Sequence, residues 1–241
     1  MKLKLQLNKN AWFGLAVFLA SSLLAAAASP QEEVIAAATA LGSQTNYSWK
    51  TSIEFGLMHA TTTRQGSTSR DGYTRLSLNF ISQGAVTNLA EVLIRGTNAA
   101  IKTPEQGWRS AADILRDPGS RSTPAWGVAR TALNFPMPAS MAARLAAQAQ
   151  GLQSGTNGIS GVLTGEGAAA LLGGSPAATN RQVAVTFWIT DGKLAKVQWH
   201  ATGRAGFNGG SQTMNRTTTT EITDVNSTQV EAPDEARKIL K

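Results

Sequence analysis

The residues able to move a proton or attack a carbonyl are few in this chain. It has two histidines, His59 and His200, and no cysteine. His200 alternates with Gln198, Lys196 and Thr202, which is the polar face of a strand and the place of a solvated histidine rather than a general base. His59 stands at a strand end with no nearby carboxylate. No His-Glu-x-x-His, Gly-x-Ser-x-Gly or phosphate-loop pattern occurs. Gly173-Gly174-Ser175-Pro176 lacks the second glycine that a nucleophile elbow requires. The 15 Asp and Glu residues do not gather at metal-ligand spacing. The expectation is a protein that is not an enzyme, with no cofactor, no metal and no catalytic residue. Catalysis stays a third reading because a fold does not forbid chemistry, and turnover abolished by His200→Ala would be its signature.

Apolar faces are better represented. Trp49, Ile53 and Phe55, with Leu76, Leu78 and Phe80, alternate along two segments. Val185, Phe187 and Trp199 do so along two more, and Met141 and Leu145 recur at helical spacing between them. These residues could line a cavity, or could form the core beneath a helical layer, because any one-sided sheet buries one face. A cavity requires the helices to stand off the sheet. Met137 and Met141 would suit an adaptable covering surface and would equally serve as gap filler.

The elements that position these residues follow from periodicity. Gln31–Leu41 reads as a helix with Val34, Ile35, Ala38 and Leu41 on one stripe and Gly42 at its end. From Asn46 the period becomes two, giving a strand with Tyr47, Trp49, Thr51, Ile53, Phe55 and Leu57 on its dry side. Thr61–Asp71, rich in Thr, Ser, Gly and Arg, reads as a loop. Thr74–Phe80, Leu89–Arg95 and Ala99–Thr103 read as further strands.

Pro104–Asn134 carries turn residues with a helical turn or two near Ala111–Leu115, and Pro136 and Pro138 open a helix reaching Met141, Leu145 and Leu152. Asn157–Leu163 reads as a short strand, and Thr164 as the N-cap of a helix ending at Gly173. Val183–Ile189 and Lys193–Thr202 form a hairpin about Asp191-Gly192, the return strand placing Ala195, Val197, Trp199 and Ala201 together. Thr217–Val225 is a strand whose run of four threonines suggests a solvated edge. Pro233–Leu240 closes as a helix. Helix, strands, helical insert and strands in that order predict an α+β fold, an antiparallel sheet with helices gathered on one side.

Residues 1–28 read as a signal peptide. Lys2, Lys4 and Lys9 precede an apolar stretch, and Ala26 and Ala28 supply small residues for cleavage. An uncleaved anchor is the alternative, since Ala11–Ala28 is at the lower edge of a bilayer span, but no stop-transfer charges follow Ser29. Residues 29–241 suffice for one domain with its own core. The formal net charge is +7 with the leader lysines included, and no Lys/Arg run tracks a phosphate backbone, so nucleic acid is not expected as a partner. No cysteine follows the leader for acylation, so the expectation is a soluble protein, periplasmic or secreted, not lipid-anchored, stabilised without disulfides.

Four stretches give the chain a resemblance to the periplasmic lipoprotein-carrier superfamily, LolA-like proteins and the related mycobacterial lipid-binding lipoproteins. They are Val34–Phe55; Leu89–Trp108 with its closing Gly-Trp; Gly151-Leu152 through Ile159–Thr164 to Ala168–Leu172; and Val185–Trp199 with its Asp-Gly turn, followed by Glu221–Val225 and Pro233. Together they span most of residues 29–241 in the family's order, by pattern rather than by a diagnostic motif. The resemblance implies a strongly curved sheet forming an unclosed β-barrel, with helices over its concave side and a hydrophobic cavity between them that accepts a lipid or acyl chain. It further implies transport as a monomeric carrier, with a membrane or lipoprotein as the delivery partner. A protein-interaction module of the same fold with a filled core is the alternative. The chain departs from the lipoprotein branch in lacking the acylated cysteine, and no lid-locking residue of the carriers maps onto it.

Overall fold

A computed structural model of the chain describes residues 28–56, 60–82, 84–172, 179–207 and 210–241. Residues 1–27 of the segment read as a signal peptide, Leu57 and His59, and the segment 173–176 lie outside them. The described chain enters α1 (Pro30–Gly42) through a reciprocal cap. Ser29 Oγ accepts from the Glu32 amide at 3.3 Å, and the Glu32 carboxylate accepts from the Ser29 amide at 2.8 Å. Val34, Ala37, Ala38 and Leu41 are buried, whereas Ile35, read as part of the stripe, is exposed.

Six strands follow: β1 (Tyr47–Phe55), β2 (Ala60–Thr68), β3 (Tyr73–Ser82), β4 (Ala85–Arg95), β5 (Asn98–Thr103) and β6 (Gln106–Ser110). A helical span comes next, made of α2 (Ala111–Arg116), a 3₁₀ turn (Pro118–Ser122), α3 (Pro124–Leu133) and α4 (Pro138–Ala147). The chain returns through β7 (Ala149–Gly155), β8 (Gly158–Leu163), α5 (Gly165–Leu172), β9 (Thr179–Thr190), β10 (Lys193–Phe207) and β11 (Gly210–Thr223). It ends with α6 (Asp234–Ile239).

All the strands join one antiparallel sheet in the order β6-β5-β4-β3-β2-β1-β11-β10-β9-β8-β7. The first six step outward from β1, and the last five step inward from β7 until β11 pairs with β1. The edges β6 and β7 do not pair, so the curved sheet is an unclosed barrel, as the resemblance implied, of the α+β class that the pattern of elements predicted. The helical span has to run from one edge to the other, and it does so over the concave face. Small side chains let the helices approach closely: Gly42 of α1 sits against Ala139 of α4, and Ala142 and Ala146 are buried beside them. Under this cover lie Leu76, Val92, Ile101, Val185 and Phe187, and Leu145 of α4 packs with them in one continuous core.

Four expectations change. Thr61–Asp71 is mostly strand, not loop, because β2 pairs with both β1 and β3 over its length. The threonine run is no edge: β11 lies between β1 and β10, with Thr218 and Thr220 buried on the concave face. The helix opened by Pro138 stops at Ala147, and Leu152 belongs to β7. Not every helix is on one side. α6 packs Ala236 and Leu240 on Tyr73, Leu93 and Ala100, residues of opposite parity to the main core and therefore on the convex face.

The late hairpin has its predicted turn, with positive φ at both Asp191 and Gly192. A bulge between Leu194 and Lys196 then shifts parity, so Leu194 rather than Ala195 is buried with Val197, Trp199 and Ala201. Thr164 caps α5, its Oγ1 accepting from the Gly167 amide at 3.0 Å.

Candidate functional site

The four strands at the middle of the sheet set the concave floor, and their register decides which side chains meet. Thr51 of β1 stands opposite Arg64 of β2 on one side and Thr220 of β11 on the other. Two residues along, Ile53 stands opposite Thr218, and Thr218 opposite Trp199 of β10. A further two along, Phe55 stands opposite Arg216. This floor is polar at its centre and apolar around it.

Above it the helices do not reach the sheet. Pro136 cannot continue α3, and the link 134–137 between α3 and α4 arches over the gap. A cavity of about 200 Å³ is left, roofed by Phe135, Pro136, Pro138, Met141 and Leu171. Trp49, Thr51, Ile53, Arg64, Val197, Trp199, Arg216, Thr218 and Thr220 form its floor and walls.

Trp49 is seated by a neighbour without a side chain. A Cβ on Gly66 would lie 2.1 Å from Cε2 and Cζ2 of the indole, so the ring occupies the space that glycine leaves on β2. Phe135 stacks on the same ring from the cover, with centroids 6.1 Å apart and planes 22° apart.

The polar groups are donors in excess. Arg64 and Arg216 have no ion-pair partner among the described residues, and the Nε atom of each is buried without a hydrogen bond. Burial draws the pKa of both guanidinium groups below its ordinary value, and the charge of Arg216 draws Arg64 further down. The indole Nε1 atoms of Trp49 and Trp199 are likewise buried without partners. Thr51 and Thr220 hydrogen bond to each other through their hydroxyls at 2.9 Å. No acidic side chain lines the cavity among the described residues.

Of the residues read from the sequence as possible lining, Trp49, Ile53, Met141 and Trp199 border this cavity. Leu76, Leu78, Leu145, Val185 and Phe187 are buried in the core and do not border it, because the cover sits directly on the sheet there. Phe55 is half-buried beyond its end, and Phe80 is 37% exposed. Sequence reasoning missed Arg64, Arg216, Thr218, Thr220, Phe135 and Leu171. The available signal was Thr51, a polar residue in the middle of an otherwise apolar strand face.

His200 is exposed on the convex face, where its Nδ1 is 3.0 Å from Thr217 Oγ1. Among the described residues no helix is long and apolar enough to cross a membrane, and no group of three His, Asp or Glu is placed to hold a metal ion.

No protein-family model matches the sequence, and the search of curated proteins gives no match. Among solved structures the chain is similar to LprF from Mycobacterium bovis, with 11% identity, a TM-score of 0.42, and 86% of this chain and 97% of that one covered. It is also similar to a DUF1329 family protein from Desulfovibrio piger, with 10% identity, a TM-score of 0.35, and 88% and 100% covered. Neither likeness places the chain in a family.

Proposed function

We propose that this is an exported, non-enzymatic protein that binds a lipid or acylated ligand in the cavity between sheet and helices. The observation that carries the reading is the gap itself. The cover stands off the middle of the sheet, over a floor edged by Trp49, Ile53, Val197 and Trp199 and beneath Phe135, Met141 and Leu171. Apolar walls with a few convergent polar groups are the usual make-up of a small-molecule site. The leader and the missing acylation cysteine support work as a free periplasmic or secreted monomer, a shuttle between membranes or lipoprotein partners rather than a fixed receptor.

At about 200 Å³ the cavity is smaller than the roughly 300–1,000 Å³ of typical ligand pockets. A long chain therefore requires the α3–α4 cover to lift. The same small volume favours the second reading, an interaction module with a nearly filled interior. Native mass spectrometry of gently purified protein, with uptake of a fluorescent fatty acid, separates the two. The carrier reading expects a co-purifying lipid or saturable uptake. A clean apo mass with no uptake leaves the interaction module.

A further inference from the structure

We propose that the cavity holds an oxyanion, the phosphate or carboxylate head of an acidic amphiphile, between Arg64 and Arg216. The proposal deepens the lipid-binding reading and rests on it for the apolar part of the ligand. Arg64 and Arg216 both line the cavity without an ion-pair partner among the described residues, and Nε of each, like Nε1 of the lining Trp49 and Trp199, is buried without a hydrogen bond. An unmade hydrogen bond is expensive at one buried group, and more so at a charged one. Two guanidinium groups drawn to one cavity, with no carboxylate beside them among the described residues, repel each other as well. A bound oxyanion answers both charges at once. It supplies several acceptor lone pairs, neutralises both charges, and fits the planar fork of a guanidinium.

The placement is specific to the middle of the sheet. Arg64 enters from β2 and Arg216 from β11, on either side of β1, so neither could be turned outward without a register slip of its strand. Thr218 and whichever of Thr51 and Thr220 does not donate within their own hydroxyl pair can donate to the same oxygens. The apolar roof leaves the rest of the ligand to the hydrocarbon, which orients an amphiphile with its head on the sheet and its tail toward the helices.

The test uses the processed protein and its Arg64→Gln, Arg216→Gln and Arg64→Met variants. Three probes are titrated against tryptophan fluorescence and native mass: dodecyl phosphate, dodecanol and inorganic phosphate. The proposal expects dodecyl phosphate to bind at least tenfold more tightly than dodecanol. Each glutamine variant should lose about tenfold for the phosphate amphiphile while dodecanol affinity stays the same. It also expects the apo Arg64→Met protein to melt at a higher temperature than wild type, because the substitution removes an unpaired, partly desolvated charge.

Equal affinity for dodecyl phosphate and dodecanol overturns the anion site and leaves lipid binding standing. A preference that survives both glutamine variants overturns the site as well. If inorganic phosphate binds in an Arg64- and Arg216-dependent way and no amphiphile does, the anion site holds and the lipid reading falls. Binding of none of the three overturns both. A lower melting temperature for Arg64→Met, with the phosphate preference intact, assigns Arg64 a structural role instead.

Discussion

Gly66 and Tyr47 show how single residues set the floor under the cavity. A methyl group at residue 66 would overlap the Trp49 ring at 2.1 Å from two of its carbons, and backbone on one side with Phe135 on the other leaves the indole little room to yield. Gly66→Ala is expected to destabilise the protein by about 1–3 kcal/mol, the usual range for overpacking, and to change the near-ultraviolet circular dichroism of the tryptophans. An unchanged urea midpoint with an unchanged spectrum would contradict this seating of Trp49. Tyr47, whose ring lies 5.5 Å from that of Trp49, is buried, and burial raises its phenol pKa from 10.0 to about 12 against a hydrogen bond to the Ala139 backbone. The sign follows from linkage. The neutral phenol is favoured in the folded state, so its contribution is whole below pH 10 and disappears as pH rises toward about 12. Alkaline unfolding should therefore begin above pH 10, and Tyr47→Phe should delay it. Coincident alkaline transitions for the two proteins would rule the assignment out.

At the scale of elements, the reciprocal cap on α1 is the most local device. Ser29→Ala removes an acceptor for the Glu32 amide, and a loss of about 1 kcal/mol in urea unfolding is expected for an N-cap of this kind. Hydrogen bonds from the Ser29 backbone and then its side chain hold the Glu32 pKa below the ordinary carboxylate value. That contribution is present above the unfolded-state pKa and is lost on acidification through the lower folded value. The difference between wild type and Ser29→Ala should therefore narrow toward acid. A constant difference across that range would exclude the carboxylate from the cap.

The same scale explains what the sequence made legible. Strands with one dry face, such as β1, β3, β9 and β10, show alternation, and a turn such as Asp191-Gly192 shows its own chemistry. β2 and β11 are central strands but lack that pattern, because their concave residues Arg64, Arg216 and Thr218 face a cavity rather than a packed helix. Trp49 and Trp199 were visible as aromatic residues on apolar faces. The arginines were not, since nothing local says that β2 and β11, about 150 residues apart in the chain, flank the same strand. A short amphipathic helix such as α6 carries no sign of which face of the sheet it will cover.

At the scale of the whole molecule, the open barrel divides into parts with different ties. β1, β2, β10 and β11 are hydrogen bonded on both sides along most of their length. The α3–α4 cover is joined to the rest by side-chain packing, by its two chain ends and by isolated hydrogen bonds. The Gln31 side-chain amide donates to the Ala146 carbonyl at 3.0 Å, and the Tyr47 phenol meets the Ala139 backbone. The link 134–137 holds bonds to its own flanking helices, such as the Met141 amide donating to the Met137 carbonyl at 2.9 Å. Opening the cover breaks no sheet hydrogen bond, whereas spreading the floor breaks many. Ligand entry should therefore move the cover and leave the floor intact. Hydrogen–deuterium exchange with and without dodecyl phosphate checks this. Slower exchange is expected across α3, the link and α4, with no change in β1, β10 and β11. A ligand present at about 100 times its dissociation constant should add about 2.7 kcal/mol to global stability, so the comparison has to be made in the fast-exchanging amides that report local opening. If the central strands change and the cover does not, the ligand enters through the sheet edges, and the arch over Arg64 and Arg216 is not its door.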